Sequence, residues 1–294
     1  FFFFKQKTAY EISTRDWSSD VCSSDLALVT GASAGIGTAV AEELSARGYA
    51  VGIVGRDPAR LDEVRRRLEA RGGRVLARCG DLADLEFAEG SVRAVAAAFG
   101  RLDLLVNNAA ARELKTMREM TPAEWDRTIR VCLTSPAFMA RWAAEEMERC
   151  GGGVIVNVGS MMSRQAHGVS AAYVSCKGAM ESLTYDLAAL YGPAGIRVVT
   201  LAPGAIDTAM SSGLTATPSN DGQAARDPIR EFSESMTMLG RWGRPDEVAK
   251  VVAWLASDEA SYLTGTTLVL DGGWSRMHMP PAITQAILRN ATSG

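Results

Sequence analysis

The stretch that most limits the fold is "ALVTGASAGIG", residues 27–37. A short apolar run ends at Thr30. Gly31, Gly35 and Gly37 then lead into a helical pattern, "AGIGTAVAEELSARG". A strand turning through glycines straight into a helix is the opening of a βαβ unit. Glycines let a phosphate approach the backbone closely. The helix N-terminus adds unpaired N–H groups and the positive end of its dipole, which suits a pyrophosphate. The spacing is G-x-x-x-G-x-G rather than G-x-G-x-x-G. Three glycines alone say little; their place between strand and helix makes them specific.

The unit then repeats. "AVGIVG", "RVLARCG", "LDLLVNN", "GVIVNVG", "IRVVTLAPG" and "TTLVLDGG" read as strands, with helical segments between them. The first helix runs to Gly48, a C-terminal cap. The second starts with Pro58 and stops at Gly72. Apolar runs without polar alternation are buried on both faces, as in a parallel sheet. The expected fold is α/β: Rossmann-like and doubly wound, a mostly seven-stranded parallel sheet with helices on both faces. One dinucleotide-binding domain over residues 27–274 accounts for it, with 275–294 as a C-terminal tail. The irregular stretch at about 208–240, rich in Ser, Thr, Met and Gly, reads as a substrate lid.

"YVSCK" sets Tyr173 and Lys177 four apart on a helix, so they share a face. A free phenol keeps its proton to about pH 10. A nearby ammonium and a cationic nicotinamide both favour the phenolate, which can then exchange a proton with an alcohol or carbonyl oxygen. Y-x-x-x-K alone is common by chance. Ser160, at the end of "GVIVNVGS", adds a hydroxyl that can donate to the same oxygen.

With "TGASAGIG", "GDL" at Asp81, "NNAA" at Asn107, "YVSCK", "APG" at Pro203 and "LDGG" at Asp271, the chain resembles the classical short-chain dehydrogenases/reductases. The likeness covers Ala27 to Trp274 in order and distance, and is nearest to 3-oxoacyl-carrier-protein reductases and sugar or polyol dehydrogenases. It implies a ketone/3-oxo to secondary-alcohol reaction on a small-molecule substrate. Ser160 would orient the oxygen, Tyr173 would move the proton, and Lys177 would tune the tyrosine and hold the cofactor ribose. It implies cofactor contacts from Gly31, Ser33, Gly35, Ile36, Gly37, Asp81, Leu82, Asn108, Pro203, Gly204, Ile206 and Thr208, besides Tyr173 and Lys177. Asp81 would meet the adenine, Asn108 the ribose, and 206–208 the nicotinamide amide. It also implies a homotetramer, with Phe138, Leu183, Leu187, Val251 and Leu255 on the pairing helices.

The end of the second strand chooses between nucleotides. An acid there binds the ribose 2′-OH, whereas a base binds a 2′-phosphate. "IVGRDPARL" puts Gly55 in the acid's place and Arg56 next. A guanidinium can grip a phosphate with two hydrogen bonds. Asp57 counts against this, and so does Ala34, where many NADP-using relatives carry a second base. The choice is NADP(H), with NAD(H) possible.

Three departures from the family pattern stand out. "VCLTS" puts Cys132 where relatives carry the Asn of a catalytic tetrad, and a thiol is a weak hydrogen-bond partner. Ala110 replaces a Gly, and Val199 a common Asn. The competing reading is therefore a catalytically impaired relative that only binds a dinucleotide or regulates.

Composition excludes other classes. The net charge is −3, with no basic excess for nucleic acid. No apolar run is long enough for a membrane span. Cys79, Cys132, Cys150 and Cys176 form no CxxC pair, which fits reduced, cytoplasmic thiols. With only His167 and His278, a His-based metal site is not expected.

Phe1 to Leu26 read differently. "KQKTAYEI" and "DWSSDVCSSDL" are what two arms of a common short-read sequencing adapter encode in one frame. The segment is expected to be an artefactual tail outside the fold, with only Asp25 and Leu26 able to extend the first strand.

Overall fold

The computed structural model describes residues 25–165, 168–212 and 228–292. Phe1 to Ser24 lie outside them, so the tail expectation falls there, as does any role for His167. The chain forms β1 (Leu26–Thr30), α1 (Gly35–Ala46), β2 (Ala50–Gly55), α2 (Pro58–Ala70), β3 (Val75–Cys79), α3 (Leu85–Phe99) and β4 (Leu104–Asn107). It continues with α4 (Pro122–Ile129), a π-helical turn (Arg130–Thr134), α5 (Ser135–Arg149), β5 (Gly153–Val158), α6 (Ala171–Tyr191) and β6 (Ile196–Pro203). It ends with α7 (Ala209–Ser212), α8 (Pro228–Ser235), α9 (Pro245–Ala256), β7 (Thr266–Leu270) and α10 (Pro281–Thr292).

The strands form one sheet in the order β3-β2-β1-β4-β5-β6-β7, every neighbouring pair parallel. The order reverses between β1 and β4, which opens a crevice at the strands' C-terminal ends. The seven-stranded expectation holds, and all seven strands are parallel. One core cluster packs α1, α2 and α9 on one face of the sheet, through Val40, Leu44, Val64, Leu68, Val248 and Val252. The other packs α3, α5 and α6 on the opposite face, through Val92, Val95, Met139, Met147 and Leu187.

Local chemistry sets the helix ends. Asp57 caps α2 by accepting the Ala59 and Arg60 N–H groups, and Pro58 fills the first helical position. Thr121 and Glu124 form a reciprocal capping box at α4. α1 stops at Ala46, and Gly48 follows with φ +92°, the left-handed turn expected of it.

Leu26 is the first residue of β1, fully buried, and its N–H donates to Asp103 Oδ2 at 2.9 Å, so it extends the first strand as the sequence allowed. Within the C-terminal tail, residues 281–292 form a helix, with Ile283, Ile287 and Leu288 exposed. Leu187 and Leu255 belong to the two cores, so they cannot also face a partner subunit. In the proposed lid stretch, the described residues form α7, α8 and the turn after it; 213–227 lie outside the described residues.

Candidate active site

A cleft of about 800 Å³ runs along the C-terminal edge of the sheet. Fifteen of the sequence-predicted residues line it: Gly31, Ser33, Gly35, Ile36, Arg56, Asp81, Leu82, Asn108, Ser160, Tyr173, Lys177, Pro203, Gly204, Ile206 and Thr208. Gly37 does not. A Cβ on Gly37 would lie 2.3 Å from the Gly31 carbonyl oxygen, so this glycine lets α1 pack on its own loop. The loop needs glycine at Gly31 for a second reason, since its φ is +66°.

The N-terminus of α1 has no side-chain cap at Ala34 and no acid in its first turn. Its N–H groups are free beside the cleft, as a diphosphate requires. Asn108 secures the loop instead of projecting freely: its amide donates to the Thr30 and Gly31 carbonyls at 2.9 and 3.3 Å.

At the adenosine end, Gly55 presents no side chain. A Cβ there would lie 3.0 Å from Ser33 Oγ. Arg56 is exposed and lines the cleft, and so does Arg60, which sequence reading passed over. Asp57 is engaged as the α2 cap and pairs with Arg60 at 3.3 Å. Asp81 accepts the Ala83 N–H and pairs with Arg127 at 2.8 Å. Burial would raise its carboxyl; the Ala83 bond, Arg127 and the charge of Arg56 outweigh that and hold it below the usual carboxylate range.

At the other end, Ser160 lies two residues beyond β5 and is nearly buried. Its Oγ accepts the Met162 N–H at 3.2 Å, which starts a short 3₁₀ turn. Its own proton therefore remains to be donated. Lys177 is 2% exposed, and its Nζ donates to the Val158 carbonyl at 2.6 Å. Nζ sits 5.4 Å from the Tyr173 ring centroid. A buried ammonium has three donors, and one is engaged here. The two remaining donors, the uncapped helix and the glycine cradle together fit a nicotinamide dinucleotide.

Cys132 is fully buried in the π-helical turn. Its Sγ lies 3.2 Å from both the N and the O of Ala111, accepting from one and donating to the other. The thiol thus ties this turn to the loop after β4. π-turns inserted in helices often mark functional positions. Arg112, the next residue, was also missed in the sequence. It lines the cleft with its guanidinium carbon 5.4 Å from the Tyr173 ring centroid. No motif spacing marks it; only the fold brings residues 112 and 173 together.

Among the described residues no helix is long and apolar enough to cross a membrane. A family model described as enoyl-(acyl carrier protein) reductase matches residues 31–275. The chain is 39% identical over 251 residues to cis-4-hydroxycyclohexanecarboxylate dehydrogenase of Sinomonas cyclohexanicum, covering 85% of this chain and 96% of that protein. Among solved structures it resembles a short-chain dehydrogenase/reductase of Serratia marcescens, with TM-score 0.78 and 32% identity over 86% of this chain and 98% of that one. It also resembles a short-chain dehydrogenase of Burkholderia cenocepacia in complex with NADP, with TM-score 0.76 and 33% identity over 86% and 98% of the two chains. Sheet order, cleft and these likenesses agree: the chain belongs to the short-chain dehydrogenases/reductases, and is an NAD(P)-dependent oxidoreductase of that family.

Proposed function

We propose that the protein interconverts a ketone or 3-oxo group and a secondary alcohol through Ser160, Tyr173 and Lys177, using NADP(H) in preference to NAD(H). The observation that carries this is the buried Lys177 ammonium, held by the Val158 carbonyl against the ring of Tyr173 in the cleft that Ser160 lines. The bound cofactor supplies or accepts the hydride. Ser160 Oγ, fixed by the Met162 N–H, donates to the substrate oxygen and orients it. Tyr173 gives that oxygen a proton during reduction and takes it back during oxidation. Lys177 places positive charge beside the phenolic oxygen as the proton leaves, and its spare donors hold the ribose hydroxyls.

Arg56 and Arg60 support a 2′-phosphate. Gly55 offers no acid to the ribose; Asp57 caps α2 and pairs with Arg60, and Asp81 pairs with Arg127. The relative from Sinomonas is named for a secondary alcohol, which supports the CH–OH reaction. The same reading makes the protein a homotetramer, supported by exposed Phe138, Tyr185 and Leu190 on α5 and α6; a monomer mass in sedimentation at micromolar concentration would count against it. The test of activity is loss of reduced-nicotinamide absorbance with NADPH or NADH and a panel of ketones. Turnover with NADPH is expected. Cofactor binding without turnover of any ketone would favour the impaired reading.

A further inference from the structure

Among the described residues, four cationic side chains line the cleft: Arg56, Arg60, Lys177 and Arg112. The proposed cofactor engages three of them, two at its 2′-phosphate and one at its ribose. Arg112 is left over, at the end where the nicotinamide carries no anion.

Arg112 is held in place rather than loosely solvated. Its Nε donates to Ser170 Oγ at 3.1 Å. Ser170 is fully buried; its Oγ donates to the Glu113 carbonyl, and its N–H to the Lys115 carbonyl. Ser170 has φ 60° and ψ 42°, the sole left-handed non-glycine among the described residues. That conformation is strained for a residue with a Cβ, and the hydroxyl sits between the Glu113 carbonyl and Arg112. Among the described residues, the four remaining guanidinium N–H donors have no protein acceptor, and no carboxylate lies within ion-pair distance. Burial pulls the Arg112 guanidinium below its ordinary value, and among charged groups only Tyr173 opposes this. Among the described residues two acids line the cleft, Asp57 and Asp81, and both are engaged at the adenosine end. Leu114, Met162 and Val169, all apolar, also line the cleft. A partly desolvated cation without a counter-charge is unfavourable. It is favourable once a ligand brings the anion, and a planar fork of donors fits a carboxylate best.

We propose that Arg112 seats a carboxylate of the substrate, so that the enzyme works on keto acids and hydroxy acids with an apolar body between the anion and the reacting carbon. This rests on the oxidoreductase reading above, and it makes Arg112 a specificity-determining residue rather than a catalytic one.

The test uses the full chain with NADPH and two keto acids, 4-oxocyclohexanecarboxylate and 5-oxohexanoate, each against its own methyl ester. The ester removes the charge and keeps the shape. Wild type is expected to prefer the acids in kcat/KM by at least about tenfold. In Arg112→Ala that preference falls about ten- to a hundredfold, chiefly through KM, and Arg112→Lys recovers part of it. Equal turnover of acid and ester by wild type would overturn the proposal, as would equal losses on both in Arg112→Ala. Calorimetry of cyclohexanecarboxylate on the NADP⁺-loaded protein separates the two readings. Binding that Arg112→Ala abolishes, with no ketone reduced by either nucleotide, would leave the anion seat and overturn the redox reading. Ketone reduction without that binding would do the reverse.

Discussion

At the scale of single side chains, the proposed preference for NADP(H) rests on Gly55 and Arg56. An acid at position 55 would bring its Cβ within 3.0 Å of Ser33 Oγ and 3.2 Å of Leu61 Cδ1, so the ribose-binding acid has no room unless Ser33 moves. Arg56 stands exposed beside that gap with Arg60 one helical turn further on. Sequence reading counted Asp57 against a phosphate site. The fold uses it on the Ala59 and Arg60 N–H groups, a cap that became visible only once the helix start was known. Arg56→Asp is expected to weaken NADPH binding by about one to two decades, the worth of a charge-assisted hydrogen bond at roughly 1.5–3 kcal/mol, and to turn the preference toward NADH. Steady-state KM values for both nucleotides check this. A wild type that already favours NADH would contradict it.

At the scale of elements, a buried polar row ties the sheet to the helix that carries Tyr173. Asn107 on β4 faces Asn157 on β5, which faces Thr200 on β6. Asn107 Nδ2 donates to Asn157 Oδ1 at 2.9 Å, and Asn157 Nδ2 donates to Thr184 Oγ1 on α6 at 2.9 Å. Thr184 and Thr200 share a hydrogen bond at 2.7 Å. Asn157→Ala removes both of its bonds and leaves the Asn107 Nδ2 with its bond to the Pro136 carbonyl at 3.2 Å. It is expected to cost roughly 1–3 kcal/mol, lowering the melting temperature by several degrees; an unchanged denaturant midpoint would contradict this. The row also shows where sequence reading stops. The strands were legible because each contains a short, mainly apolar run bounded by glycine or polar residues, even where Arg78 and Arg197 lie within β3 and β6. The pairing of Asn157 with residues 50 positions before and 27 after it was not, because nothing local encodes a partner across the sheet. The same holds for Arg112 and Tyr173. Tyr173 and Lys177 were legible because one helical turn alone aligns them. The helix over 281–292 was missed because it has no strand to follow and its apolar residues stay exposed.

For the whole molecule, burial couples folding to alkaline pH. The Cys176 thiol is pushed up to about 12, first by burial and then by neighbouring Cys132. The Tyr49 phenol is also pushed up to about 12, by burial and then by Asp25 and Asp103. Both groups are neutral acids whose folded values exceed their ordinary values of 9.0 and 10.0. The unfolded chain therefore releases these protons first, so stability is held below about pH 9 and lost as pH rises toward 12. Each fully titrating group contributes about 1.4 kcal/mol per pH unit. Melting temperatures should fall from about pH 9 upward, and less steeply in Cys176→Ala; a flat profile would contradict this. On the proposed mechanism, function at this scale depends on one cleft joining a nucleotide end and a proton-transfer end. The most direct test is Tyr173→Phe, with NADPH binding followed by fluorescence titration and ketone reduction followed by absorbance on the same preparation. NADPH binding should stay within a few-fold of wild type, while turnover falls by roughly 10²–10⁴, the worth of a positioned proton donor. Turnover equal to wild type in a folded Tyr173→Phe protein would contradict the mechanism.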